Sequence, residues 1–248
     1  MKNTKWIKEM SWTELQEAAK TCDTIIIPCG AVEGYGPHMP LGSDIIVSHA
    51  ISERVAARVN ALIAPCIEMG ESFSLGAFPG TMVIRPETYA MVVRDQLDSL
   101  IKWGFKNFMF MDMHAGNVPI ISQIAREYQQ SREIHCAQID WWRFVQAHTG
   151  GICQFSGWRA HGHASECGTS VMLYLHPEYV DMDQLTVVTP QNPKFGKRPD
   201  VITYYEFSKT TPICMLGDAP VATREKGQKI VEACVDYIVD FMKDEFQC

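Results

Sequence analysis

Two apolar runs, Thr24-Ile25-Ile26-Ile27-Pro28-Cys29 and Asn107-Phe108-Met109-Phe110-Met111, each run straight into a glycine-bearing turn that carries metal-ligand chemistry. Short runs rich in β-branched or aromatic residues and ended by Gly or Pro read as strands buried on both faces, the pattern of a parallel sheet. In open α/β sheets, ligand-binding residues gather beyond the carboxyl ends of such strands. The turn after the first run holds Glu33 and leads to Asp44, and the turn after the second holds His114. These three side chains are expected to meet. Two carboxylates and one imidazole suit a divalent ion and leave coordination positions open. Singly, each residue has a plainer reading: a solvated loop carboxylate for Glu33, a helix N-cap for Asp44, a hydrogen-bonded histidine for His114.

The rest of the chain alternates strands with helices. Ser11-Trp12-Thr13-Glu14 is a capping box that opens a helix to about Lys20. Helices are expected from about Asp44 to Asn60, Pro86 to Trp103, Val118 to Gln130, Gly162 to Leu175 and Thr223 to Glu245, with further strands at Ala61–Ala64 and Glu133–Asp140. Strands alternating with helices predict a mostly parallel sheet covered on both faces, a three-layer α/β/α sandwich. Residues 181 to 217 read as irregular, with room for a hairpin or a lid. At 248 residues, the chain (1–248) is expected to form one domain.

Composition excludes several classes. The formal net charge of -7 leaves no basic footprint for nucleic acid. No apolar run approaches the roughly 18 residues of a membrane span. The start, Met1-Lys2-Asn3-Thr4-Lys5-Trp6-Ile7, lacks a signal-peptide core. The nine cysteines are odd in number, scattered and free of Cys-x-x-Cys pairs, which predicts free thiols in a reducing cytoplasm.

Six segments in order resemble the creatinine amidohydrolase (creatininase) family. They are Pro28-Cys29-Gly30-Ala31-Val32-Glu33-Gly34-Tyr35-Gly36-Pro37-His38-Met39-Pro40-Leu41-Gly42-Ser43-Asp44, then Gly70-Glu71-Ser72 with Phe78-Pro79-Gly80-Thr81, then Gly104-Phe105, Asp112-Met113-His114-Ala115-Gly116-Asn117, His163-Ala164-Ser165-Glu166-Cys167-Gly168-Thr169-Ser170, and Gly217-Asp218 with Ala222-Thr223-Arg224-Glu225-Lys226-Gly227. The resemblance implies a two-metal centre bridged by an aspartate. The first metal would take Glu33, Asp44 and His114. The second has Tyr35 where the family has a histidine and Gly116 where some members have a glutamate ligand and many have glycine, leaving Glu166, His38 or the Tyr35 phenol to rebuild it. Gly168 stands where the family has another glutamate.

The resemblance further implies a homo-oligomer, a hexamer, and a hydrolase acting on cyclic amides, formamides or lactones of small polar molecules. The ion is expected to be zinc, with manganese as the alternative. His163 and Glu166, three apart and therefore on one face if helical, are expected to move protons, assisted by Tyr35. Ser72, Asn117 and Trp158 are expected to bind substrate, Trp158 as one of three tryptophans, with Trp141 and Trp142, that could line a pocket. No Gly-x-Ser-x-Gly elbow surrounds Ser72 or Ser170, which argues against a serine hydrolase. Two alternatives remain: a metal-dependent isomerase or lyase acting through an enediolate, and a non-catalytic small-molecule-binding relative.

Overall fold

The computed structural model describes residues 4–192, 194–198, 201, 203–204 and 206–248. Met1-Lys2-Asn3 of the N-terminal reading, and five positions of the stretch expected to be irregular, lie outside the described residues.

The element order is α1 (Trp12–Ala18), β1 (Thr24–Cys29), α2 (Ser43–Ala56), β2 (Leu62–Ile63), α3 (Pro86–Lys102), β3 (Asn107–Asp112), α4 (Val118–Ser131), β4 (His135–Asp140), α5 (Trp141–His148), α6 (Trp158–His161), α7 (Glu166–Leu175), β5 (Val187–Val188), β6 (Gly217–Asp218) and α8 (Arg224–Phe246). Short 3-10 turns fill several connections. Four strands form one parallel sheet in the order β2-β1-β3-β4. Side chains alternate through it as the pleat demands. Ile26, Met109 and Met111 point into a core shared with Val47, Val55, Trp141, Val145, Val171, Ile230 and Val235. Ile25, Ile27, Phe108 and Phe110 point the other way, onto Tyr89, Val93, Leu97, Ile121 and Ile124. Helices α2, α5, α7 and α8 therefore cover one face and α3 and α4 the other, giving the three layers.

The register sets up the site. Cys29 pairs with Asp112, and Asp112 with Asp140, so the three long strands end at one level and their exit loops emerge side by side. Where β1 leaves the sheet, its backbone packs against the first turn of α2. A Cβ on Gly30 would lie 2.9 Å from the backbone nitrogen of Ile45, closer than carbon and nitrogen tolerate. Glycine there brings Glu33 and Asp44 to the same corner.

Two expectations need correction. Asp44 is not an N-cap: Gly42 precedes the helix, and Asp44 sits within its first turn with its side chain turned inward. The helix expected from Gly162 begins at Glu166 instead. Ala164, at φ 57°, turns the chain out of helical geometry, and the Ser165 hydroxyl bonds back to the carbonyls of Ala160 and Gly162. His163 consequently lies on a loop, and its helical spacing to Glu166 does not exist. The stretch read as irregular contains β5, which pairs antiparallel with β6.

Candidate metal centre

Glu33, Asp44 and His114 come together, all buried, with their ligand atoms within 4.8 Å of one another. His114 Nδ1 lies 3.0 Å from Glu33 Oε2 and 3.4 Å from Asp44 Oδ2. The opposite nitrogen settles the tautomer. Nε2 is 2.7 Å from the backbone carbonyl of Glu71, an acceptor only, so Nε2 carries the hydrogen. In the neutral ring, Nδ1 then presents a lone pair to two carboxylates. That arrangement is repulsive unless a cation lies between them, either a proton on Nδ1 or a metal ion.

Asp44 makes the same point. It is 1% exposed, and neither of its oxygens has a hydrogen-bond partner. The Tyr35 phenol and the Trp142 indole approach it, but neither closes a full hydrogen bond. A buried unpaired carboxylate is costly. Burial and the neighbouring Glu33 charge push Asp44 up to about 7. Burial opposes ionisation of Glu33 as well, yet His114, His163 and the Ser72 hydroxyl hold its carboxyl below the usual value. Burial would lower His114, but the Glu33 and Asp44 carboxylates outweigh it and hold the imidazole well above its ordinary range. A divalent ion would relieve all three groups at once, so the donor set and its electrostatics fit a metal. Among the described residues this is the one such cluster.

A surrounding network holds the three in place, as metal-site partners do. The Asp112 carboxylate accepts from the His114 backbone N–H (3.2 Å) and from Asn117 (3.3 Å). Asn117 also donates to the Gly30 carbonyl and accepts from the Glu71 N–H at 3.0 Å. Its amide thus ties the exit loops of β1 and β3 to the Glu71 loop. Ser72 donates to Glu33 Oε2 at 3.0 Å and lies 3.3 Å from His114 Nε2. Asn117 and Ser72 are both fully buried. The structure places these two, read as substrate contacts, behind the ligands.

The other residues singled out in the sequence divide. Tyr35 and His163 reach the site with ring centroids 4.3 Å apart. Burial, then Asp44 and Glu33, hold the Tyr35 phenol well above 10, which favours its protonated, hydrogen-bond-donating form in the metal-free chain. His163 gives its Nε2 hydrogen to the Gly34 carbonyl at 2.8 Å, and burial lowers its pKa. It is therefore neutral, with Nδ1 free to take a proton. His38 is not brought to the three ligands: its Nε2 meets the Thr169 hydroxyl at 2.9 Å, and burial pushes it down to about 4. Trp158 lies outward, lining a shallow cavity with Pro190, Asn192 and Phe195. Trp142 stands in the site instead, anchored by its indole N–H on the Met113 carbonyl at 2.8 Å and packed against Tyr35.

Glu166 is not brought to the site either. Its carboxylate accepts from the backbone N–H groups of Gln154 (2.6 Å) and Phe155 (3.1 Å) and pairs with Lys226 at 2.5 Å. Removing one member of a buried pair leaves the other uncompensated. Glu166→Ala is expected to cost about 3–5 kcal/mol of stability, while turnover per folded molecule changes less than about tenfold. Thermal unfolding alongside kinetics checks this. A dead Glu166→Gln variant with an unchanged melting temperature would make the carboxylate catalytic.

The chain is similar to known proteins over nearly its whole length. A family model described as creatinine amidohydrolase matches residues 8–242. Creatinine amidohydrolase of Pseudomonas putida is 29% identical, over 99% of this chain and 99% of that protein. 3-Dehydro-scyllo-inosose hydrolase of Thermotoga maritima is 26% identical, over 96% of this chain and 83% of its own. A solved structure described as "Creatininase Mn" superposes with a TM-score of 0.84 at 28% identity, covering 98% of this chain and 99% of that one.

Proposed function

We propose, because this chain belongs to the creatininase family of metal-dependent hydrolases, that its site opens or cleaves an amide (cyclic amide or formamide) or a lactone of a small polar molecule. The observation that carries this reading is the buried, unpartnered Asp44 carboxylate facing the His114 Nδ1 lone pair. Glu33, Asp44 and His114 would hold one divalent ion, zinc or manganese. Bound there, the ion supplies Lewis acidity, polarising a carbonyl and acidifying water.

The chain's own groups do the rest. The Glu71 carbonyl keeps His114 in the tautomer that turns Nδ1 inward. Ser72 fixes the orientation of Glu33. His163, neutral and held through Nε2, takes a proton at Nδ1 and returns it to the leaving nitrogen or oxygen. The Tyr35 phenol, whose ionisation is opposed by burial and by Asp44 and Glu33, donates toward developing negative charge. At Gly168 a Cβ would come into ordinary contact with the Trp142 and Tyr35 rings, at 3.7 and 3.8 Å, so these two rings close over α7 at this point.

Tyr35→Phe is expected to keep the metal and lose rate by roughly 10- to 1,000-fold, the range for removing one such donor. Metal analysis beside steady-state kinetics checks it, and release of the ion would make the phenol a ligand.

We further read residues 1–248 as one hydrolase unit that works on a small molecule as a cytoplasmic homo-oligomer, a hexamer. No helix among the described residues is long and apolar enough to cross a membrane. The test of function is a panel of lactones, cyclic amides and formamides run in oxygen-18 water. Hydrolysis places the label in a new carboxylate. Turnover without label would indicate an isomerase or lyase.

A further inference from the structure

His38 is buried apart from the metal ligands, and the proposed hydrolysis gives it no task. Its hydrogen bonds supply one. Nε2 meets the buried Thr169 hydroxyl at 2.9 Å, and that hydroxyl donates to the Ala164 carbonyl at 3.3 Å. A hydroxyl has a single hydrogen. Spent on the Ala164 carbonyl, it leaves the Thr169 oxygen to accept, so His38 Nε2 carries a hydrogen and donates. Nδ1 is buried without a partner, as a bare lone pair on a neutral ring would be. The result is a directed chain from His38 through Thr169 to the backbone of Ala164.

That chain ends on a strained turn. Ala164 sits at φ 57°, a left-handed conformation that a residue other than glycine keeps only where its surroundings impose it. Each residue of the turn is tied down. The His163 carbonyl accepts from the Leu216 N–H at 2.8 Å, the Ala164 carbonyl accepts from Thr169, and the Ser165 hydroxyl donates to the Ala160 and Gly162 carbonyls. On its other side the His38 ring lies against the exit loop of β1. A Cβ on Gly36, itself at φ 70°, would come within 2.9 Å of that ring and 3.3 Å of the Ala164 methyl. The same loop supplies the Gly34 carbonyl that takes the His163 Nε2 hydrogen at 2.8 Å. Both ends of that hydrogen bond are thus fixed to each other through His38, Thr169 and Ala164.

We propose that His38 and Thr169 are positioning residues for His163, their hydrogen-bonded chain holding the left-handed turn at Ala164 that presents the His163 ring to the metal site. The proposal rests on the reading of His163 as the group that carries the proton. A reacting group displaced by about 1 Å can cost on the order of a hundredfold in rate. Thr169→Val removes the hydroxyl and keeps the shape of the side chain, whereas Thr169→Ser keeps the hydroxyl.

Both variants are examined as zinc-loaded, full-length protein, by crystallography and by kinetics on whichever member of the lactone, cyclic amide and formamide panel the wild type hydrolyses. Thr169→Val is expected to shift the His163 ring by roughly 1 Å away from the Gly34 carbonyl and to lower kcat by about 10- to 100-fold, with KM changed less than about threefold. Zinc stays at about one ion per chain. Thr169→Ser is expected to restore both ring and rate. His38→Leu, which frees the Thr169 hydroxyl to rotate, is expected to shift the ring in the same direction, and it serves as the test if Thr169→Val does not fold. An unmoved ring with unchanged kcat in Thr169→Val would overturn the proposal, even with a lowered melting temperature. So would an equal loss in Thr169→Ser, or zinc lost in step with the rate. If no panel member is hydrolysed, the hydrolase reading fails by itself, and the position of the His163 ring in the variants still upholds or overturns the brace.

Discussion

Asp44→Asn is expected to abolish tight metal binding and lower turnover by about a thousandfold or more, roughly 4 kcal/mol of transition-state stabilisation, while leaving the metal-free fold intact or more stable. The two halves of this result have one cause. In the metal-free chain Asp44 is a buried carboxylate with no hydrogen-bond partner and Glu33 beside it. The amide is nearly isosteric and uncharged, so it removes like-charge repulsion along with the ligand. The pH dependence follows. The folded pKa of Asp44, about 7, lies above its ordinary 3.8. The folded chain holds that extra proton between the two values, so the metal-free protein loses stability as pH rises through about 7. His114, held above its ordinary 6.5, adds to the same trend, its contribution being lost as pH rises through its folded value. Glu33, held low, acts in the opposite sense only in the acid range. Metal-free wild type is therefore expected to weaken from pH 6 to 8, by about 1.4 kcal/mol per pH unit for each extra proton held. Asp44→Asn flattens that slope. Denaturant unfolding at three pH values in a chelator measures it, and an unchanged slope would remove Asp44 from the account. Metal binding displaces the same protons, so affinity rises over the same range.

Gly116→Ala is expected to weaken metal affinity by roughly 10- to 100-fold, the usual cost of disturbing a ligand's supporting partner. A Cβ at this position would run into the Glu71 backbone carbonyl and lie 2.6 Å from His114 Nε2, the two atoms that bond to set the ligand's tautomer. The consequence reaches further than one methyl group. Some members of the family that the chain resembles have a glutamate here as a ligand of a second metal, and introducing it would rebuild that site if space allowed. The Glu71 loop occupies the space. Tyr35→His with Gly116→Glu is therefore expected to bind no second ion, as titration calorimetry with manganese would show. Two tight equivalents in that double variant would mean that the Glu71 loop yields.

How far the sequence could be read depended on where each residue's partner lies. The buried strands β1 and β3 declared themselves through apolar runs, and Glu33, Asp44 and His114 through their place just beyond them. The metal-ligand reading needed no tertiary knowledge beyond the rule that parallel strands share an exit edge. Glu166 could not be read this way. Its partners are Lys226, far along the chain on α8, and two backbone amides in an irregular loop, and neither leaves a local pattern. The start of α7 was misplaced because nothing about Ala164 announces a positive φ, a conformation usually left to glycine or asparagine. Three tryptophans looked equivalent in sequence. Trp142 reaches the site because α5 begins directly at the end of β4, at the level of Asp112 and Asp140. Trp158 follows a loop that carries it outward. Asn117 and Ser72 are expected from the sequence to bind substrate; in the structure both are buried and hydrogen-bond to Asp112, Glu33 and the loops around the ligands, partners that no local pattern shows.

The central claim is that one buried trio holds one divalent ion. The most direct measurement is elemental analysis of the full-length protein after chelator treatment, reconstitution with excess zinc or manganese, and removal of loose ions. The account predicts about one equivalent per chain, lost in His114→Ala. Less than about a tenth of an equivalent in the wild type, or a full equivalent retained by His114→Ala, would contradict it.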